Sequence, residues 1–284
     1  RINQKKELEQ PQYRRPSTYI VKENDTSGAE RFGSKVFQLM QTTLMPINEP
    51  NMDGSYVLDF GDVIELQLVG QESSTNQLKI RRDGSINIEN IGKIFISGLS
   101  LDSASNLIKS KISQSFIGVE AFISLINVRD IQVVLAGNVF SPGIYTLNGN
   151  SNIFHALSVA GGPSSEGSFR EINLIRNNKI IHSIDLYDTF IFGKSSFDKR
   201  LRSGDTVFVT PIKKSVTASG AFKRDGIYEL LDNENISSLI SFTNGLTAYA
   251  DLKNIVLQRV IDGRIVPVII DNLDDLESIA AKDA

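Results

Sequence analysis

Cysteine and tryptophan are absent from the 284 residues, and histidine occurs only twice. Without thiols there is no disulfide, no thiol nucleophile and no cysteine-held zinc or iron–sulfur cluster. The compartment stays open, because exported and cytosolic proteins alike can lack cysteine. A basic surplus is also missing: 30 Lys and Arg stand against 33 Asp and Glu, a formal net charge of −3. Phosphate backbones call for a positive field, so nucleic acid is not expected as a partner. No apolar run approaches the roughly 18 residues that span a bilayer. The longest, such as Ile265 to Ile270, are strand-sized. The chain opens at Arg1, with neither methionine nor a signal-like segment, and reads as a processed or trimmed product.

What is present is ordinary globular composition, 40 % hydrophobic and 22 % charged, with length for about two domains or three small ones. Residues 1–50 are polar, charged and punctuated by Pro11 and Pro16. They read as an extended lead with one short helix around Phe32 to Leu44, followed by a linker at Pro46 and Pro50. From Tyr56 the pattern turns to short strands. In VIELQLVG, Ile64, Leu66 and Leu68 alternate with Glu65 and Gln67, which predicts one buried face. Asp83-Gly84 marks a turn before Ile86 and Ile88, and KIFISG gives another strand. Ser100 is the expected N-cap of a helix with Asp102 in its first turn. Leu101, Ala104, Leu107, Ile108 and Ile112 form that helix's apolar face. Strands near Phe122 to Val128 and Ile131 to Leu135 complete a β-β-β-α-β-β order, an α+β pattern.

The chain also repeats itself. A shift of 83 residues lays the stretch from Gly137 to Arg176 on Gly220 to Arg259 without a gap, and 13 of the 40 positions are identical, where chance gives about 2 or 3. Gly143-Ile144-Tyr145 falls on Gly226-Ile227-Tyr228, Ile153 on Ile236, and Gly162 on Gly245. Each copy reads as a strand into glycine, a turn at Gly-Ile-Tyr, one short helix, a glycine stop and a returning strand. The helices are expected to bury Ile153, Leu157 and Ala160 in the first copy and Ile236, Leu239 and Ile240 in the second. A sheet wrapping one helix is the β-grasp arrangement. The first copy closes through Gly204-Asp205 into the strand Val207 to Val209. The equivalent glycine of the second copy would be position 287, so that copy is expected to lack its closing strand.

Gly161-Gly162 raises the question of a phosphate loop. Its counterpart is Asn244-Gly245, the two residue types that tolerate the left-handed backbone ending a helix. A phosphate loop places its glycines before a helix, with amides aimed at the anion; here they follow one, so helix capping is the reading. Other chemistry-bearing residues also have bland accounts. His155 is replaced by Ser238 in the second copy, so the fold does not need an imidazole there. His182 lies near Asp185 and Asp188, a pattern that needs a nucleophile and geometry to become a triad. The acidic run from Asp271 to Glu277 lacks the glycine and terminal glutamate of a calcium loop. Gly61-Asp62 and Gly204-Asp205 read as turns in which aspartate holds neighbouring amides. Arg129, Arg170 and Arg176 are candidates to face a sugar or a partner, with exposed salt bridges as the default. No catalytic, cofactor-binding or metal-binding residue is assigned, ligand-binding residues stay unassigned, and no enzyme activity is expected.

The order of these motifs resembles one family. Tyr56, Leu58, Gly61-Asp62, Asp83-Gly84, Ile86, Ile91-Gly92 and Gly98 are similar to the polysaccharide export domain of outer-membrane capsule and exopolysaccharide exporters. GNVFSPGIYTL, ALSVAGGPSSEGSFREINLIR and LRSGDTVFVTP are similar to the soluble-ligand-binding (SLBB) β-grasp domains of the same exporters. FGSKVF, at Phe32 to Phe37, resembles the segment preceding the export domain in larger members. Departures are Asp59-Phe60 where the family writes Gly-Pro, and Asn244 where it writes glycine. A lipid-anchoring cysteine and an amphipathic pore helix also have no counterpart here.

The resemblance implies an α+β chain with a lead at 1–50, an export domain at 51–130, a first β-grasp domain at 131–212 and a second, incomplete one at 213–284. It implies a passive conduit in the periplasm, associated with the outer membrane. Such a conduit is a homo-oligomeric ring that passes a polysaccharide chain from an inner-membrane co-polymerase. The lead and export domain are expected to face that partner. The rival readings are a monomeric β-grasp module that binds a small ligand without an export role, and a carbohydrate-active enzyme, for which no acid–base pair stands out.

Overall fold

Alternation in the sequence builds the first sheet. In this computed structural model, which describes residues 29–40, 54–71, 73–194, 197–251, 255–261 and 264–270, β1 (Val63–Gly70) buries Ile64, Leu66 and Leu68. It pairs antiparallel with β2 (Ser74–Lys79) on one side and β5 (Val119–Asn127) on the other. A hairpin of β3 (Ser85–Ile88) and β4 (Gly92–Phe95) follows the Asp83-Gly84 turn, where Gly84 has φ 77°. The helix α2 (Leu101–Ser115) starts as expected, with the Ser100 side chain accepting from the Ser103 amide. Ala104, Ile108 and Ile112 are buried in a core with Leu58, Ile80 and Ile96, while Leu101 and Leu107 pack at its margin. Each fully buried isoleucine here contributes about 1.5–3 kcal/mol. The sequence pattern missed β2. It is an edge strand, exposed on both faces except near Leu78, so its side chains follow no alternation.

The strand pair expected at 122–128 and 131–135 is divided between two sheets. Only Val128 and Arg129 separate β5 from β6 (Asp130–Gly137), and β6 opens a second sheet. With β7 (Gly143–Asn148), β8 (Gly167–Arg176), β9 (Lys179–Ile184) and β10 (Thr206–Pro211) the order is β7-β6-β10-β8-β9. β10 runs parallel to β6 and antiparallel to β8. This is the β-grasp arrangement. The sheet covers α3 (Ile153–Val159), which buries Ile153, Ala156 and Leu157, with Ala160 buried at its end. A short α4 (Leu186–Phe190) follows β9. Gly143-Ile144-Tyr145 is not the turn itself; it opens β7, and the reversal lies in the residues before it.

The second copy has β11 (Ser215–Ala218), β12 (Gly226–Glu229), α5 (Ile236–Phe242), β13 (Ile255–Ile261) and β14 (Arg264–Ile270). Its strands form two separate hairpins, and among the described residues none occupies the central place that β10 has in the first copy. Helix α5 buries Ile236, Leu239 and Phe242, whereas Ile240 is only half-buried. The face is turned because the Phe242 ring meets Tyr187 and Phe192 of the first copy, at 5.4 and 6.1 Å. The two copies therefore share one hydrophobic core.

Both glycine stops are helix caps. The Gly161 amide donates to the Ser158 carbonyl and the Gly162 amide to Leu157, at 3.3 and 2.7 Å. Asn244 and Gly245 donate likewise to Ser241 and Ile240, at 3.1 and 2.8 Å. This paired bonding is the Schellman motif, and all four residues have positive φ. Among the described residues no helix is long and apolar enough to cross a membrane.

Candidate functional site

The strongest polar clusters sit at joints. Asp62, fully buried, follows Gly61 at the entrance to β1. Its carboxylate accepts from the Asp59 amide at 2.9 Å, the Arg129 amide at 2.8 Å, the Arg129 guanidinium at 2.7 Å and the Tyr56 hydroxyl at 3.1 Å. Burial first, and then the Asp62 charge, push the Tyr56 phenol above its ordinary range. Arg129 is one of the two residues between the sheets, and its carbonyl accepts from the Gly149 amide at 2.8 Å. One side of Arg129 is thus pinned to the first module and the other to the β6–β7 sheet.

Asp205, behind Gly204, repeats the device. It accepts from the Arg202 amide, three residues back, at 2.7 Å, and from Arg176 through Nε and Nη2, each at 2.7 Å. The hydrogen bond to Asp205 raises the Arg176 pKa. Both Gly-Asp pairs are turns in which aspartate holds a neighbouring amide, as the sequence suggests. Each also captures an arginine from another segment. Removing one partner of such a buried pair is strongly destabilising, because it leaves an uncompensated charge.

A third cluster joins the lead to both copies. The Arg31 guanidinium donates to the Ser164 and Ser165 carbonyls at 3.1 Å, and to the Gly167 carbonyl and Glu229 carboxylate. Glu229, buried, also accepts from the Ser168 hydroxyl at 2.6 Å and the Phe169 amide at 2.7 Å, while its own amide donates to the Tyr187 hydroxyl oxygen at 2.9 Å. Burial dominates in raising the Tyr187 pKa. Beside it Arg170 grips Asp185 at 2.8 Å and Glu234, and lies 4.7 Å over the Tyr187 ring and 4.9 Å over Phe242. Backbone bonds from Phe32 to the Ile227 carbonyl and from Ile227 to the Glu30 carbonyl dock the lead on β12. Phe32 stacks on Tyr228, and Phe37 from α1 (Ser34–Met40) enters the core.

The lead at 29–40 is therefore neither a linker nor part of the export module; it packs on the β-grasp copies. The sequence pattern predicts the short helix here, which α1 supplies over Ser34–Met40, but not its docking, because its partners lie more than 100 residues away. The one available sign was a short aromatic-bounded stretch, FGSKVF, within polar sequence.

Arg129, Arg170 and Arg176 are largely withdrawn from solvent and engaged with carboxylates, not displayed to a sugar. His155 completes a capping box: Asn152 accepts from the His155 amide at 3.0 Å, and the imidazole Nδ1 accepts from the Asn152 amide at 3.3 Å. Asn235 and Ser238 do the same in the second copy. Burial, and then the charge of Arg200, lower the His155 pKa. His182 lies on β9 opposite Leu174. Asp185 caps α4 and holds Arg170, and Asp188 pairs with Lys194 at 2.8 Å. The acidic run 271–277 lies outside the described residues. Among the described residues no three His, Asp or Glu side chains gather as a metal site.

Residues 50–126 match the family described as polysaccharide biosynthesis/export protein, and residues 132–182 and 215–269 match the SLBB domain. Two curated relatives, both named polysialic acid transport protein KpsD and both from Escherichia coli, are 28 % and 27 % identical over 194 residues, 68 % of this chain. The chain spans about a third of their length, 34 %.

Proposed function

The chain belongs to the polysaccharide export protein family, with an export domain followed by SLBB repeats, and on that premise we propose that it is the periplasmic part of an outer-membrane exporter of capsule or exopolysaccharide. We assign it a lead at 1–50, an export domain at 51–130, a first β-grasp unit at 131–212 and a second, incomplete one at 213–284. It acts as a passive conduit. A heterologous interface repeated around an axis closes a homo-oligomeric ring, and the polymer moves through without a bond being made or broken. Polymer synthesis and an inner-membrane co-polymerase supply the drive. The relatives' name points to an acidic polymer as cargo.

The observation that carries the reading is the use made of the polar side chains. Among the described residues, the buried carboxylate–arginine clusters at Asp62, Glu229 and Arg170 lie at joints, between the two sheets or between copies, and the one at Asp205 ties segments within the first β-grasp unit. Such a chain is built to hold small modules in fixed relation, which a wall requires and a hydrolase does not.

Deleting residues 51–130 from the exporter should abolish surface polysaccharide while the shortened chain remains detectable by antibody. Normal surface polysaccharide in that strain refutes the reading. A particle mass equal to one chain, with a small molecule bound one-to-one, would favour a β-grasp ligand binder instead.

A further inference from the structure

Lys79, Arg81 and Arg82 form a cluster of exposed cations at the end of β2, and among the described residues none has a carboxylate partner. They differ in this from Arg31, Arg129, Arg170 and Arg176, each of which holds a carboxylate. The acid adjacent in sequence, Asp83, is already engaged. It accepts from the Ser85 hydroxyl at 2.6 Å and amide at 3.1 Å, and from Lys93 at 3.0 Å. Those bonds, the Ser85 hydroxyl foremost, hold its carboxyl well below the usual range.

The cations stand on a fixed support. The Arg81 amide donates to the Ser85 carbonyl and the Gly84 amide to the Arg81 carbonyl, both at 2.9 Å. The Gly61 amide donates to the Ile80 carbonyl and the Ile80 amide to the Asp62 carbonyl, at 3.1 and 2.9 Å, which fixes the turn carrying Phe60 beside this end of β2. The result is an open cleft of about 310 Å³ lined by Phe60, Gln77, Lys79, Arg81 and Asn87. Phe60 is 46 % exposed, and the Arg82 guanidinium lies 5.9 Å from its ring centre.

Ligand sites combine an apolar or aromatic surface with a few convergent polar groups. Here the aromatic face suits the C–H side of a pyranose ring, the two amides suit hydroxyls, and the cations suit carboxylates. We propose that this cleft is a contact site for acidic sugar residues of a polysaccharide. The proposal rests on the export reading above and deepens it by giving an acidic cargo a place of contact on the export module. An open, one-sided cleft also suits a polymer that must keep moving: binding has to favour entry and still permit release.

The test titrates the isotope-labelled chain with a hexamer of galacturonic acid and with the same hexamer methyl-esterified, following backbone amide signals. The acid form should shift the signals of Phe60 and of residues 77–87. Lys79→Gln, Arg81→Gln and Arg82→Gln together should weaken it by about tenfold, with an unchanged melting temperature because all three are exposed. The esterified form should bind more weakly and ignore the triple substitution. Phe60→Ala should weaken both forms. Shifts confined to another surface, with the triple substitution without effect, overturn this site and leave the export reading standing; the 51–130 deletion judges that reading separately. Equal binding of a single-stranded oligodeoxynucleotide of the same charge, indifferent to Phe60→Ala, overturns the saccharide assignment. So does an absence of shifts with either hexamer.

Discussion

The two β-grasp copies carry the same punctuation and meet different surroundings. In both, an asparagine caps the helix, a Schellman pair ends it, and a tyrosine hydroxyl donates to the carbonyl four residues back, Tyr145 to Ser141 at 2.6 Å and Tyr228 to Arg224 at 3.0 Å. Yet Ile144 is 73 % exposed on an open sheet edge, whereas its counterpart Ile227 is bonded to the lead and Tyr228 is fully buried. The first copy closes its sheet with β10; the second shows two hairpins and leans on the first through Phe242. The difference teaches that duplication preserves what is encoded within a few residues, while packing across copies decides what each motif touches.

The largest expected break in this symmetry is at Glu229. Glu229→Ala leaves Arg31 without its carboxylate in the buried cluster and should cost about 3–5 kcal/mol in denaturant unfolding. Thr146→Ala, at the matching exposed position of the first copy, should stay within about 0.5 kcal/mol. The paired glycines come next. At Gly162 an added Cβ would lie 2.4 Å from the Phe37 ring, but at Gly245 it meets only the end of Lys223, at 3.7 Å. Gly162→Ala should therefore cost about 2–4 kcal/mol and loosen the lead, read as faster proteolysis near residue 40, whereas Gly245→Ala should cost about 1–2 kcal/mol from backbone strain alone. Removing the repeated hydroxyl is milder. Tyr228→Phe should cost about 1 kcal/mol and Tyr145→Phe about half that, since the second bond is open to water. Equal losses would mean that the lead contributes nothing to the second copy's bond.

The smallest effect depends on pH. The His155 imidazole accepts a backbone hydrogen bond only when neutral at Nδ1, and its folded pKa is lowered from 6.5, by burial first and by Arg200 second. Its contribution is thus complete above about pH 6.5 and declines as acid is added. His155→Ser, which copies Ser238, should remove about 0.5–1 kcal/mol of that decline, seen as a flatter plot of melting temperature between pH 7 and pH 5.

The legible features were local ones. Ser100, the Gly-Asp turns, Gly161-Gly162 against Asn244-Gly245, and the apolar face of α2 all act within a turn of chain, and residue type alone identifies them. The family was readable because several such signals occur in a fixed order. What stayed hidden was tertiary. The arginines read as exposed proved to be half or fully withdrawn, because nothing in the sequence says that Asp62 faces Arg129 or that Asp205 faces Arg176. Phe242 replaced Ile240 on the buried face because the first copy's aromatic side chains determine which way α5 is turned. The docking of the lead depends on pairings such as Arg31 with Glu229, which no local pattern announces.

The short passage through Val128 and Arg129 has a mechanical meaning. With the Arg129 amide held by one body and its carbonyl by the other, a single residue ties the two sheets together. A load on the first module reaches the second through this residue and the Asp62 carboxylate that holds it. In the ring proposed above, any widening for a passing chain would then come from whole subunits tilting against one another, as staves do in a cask.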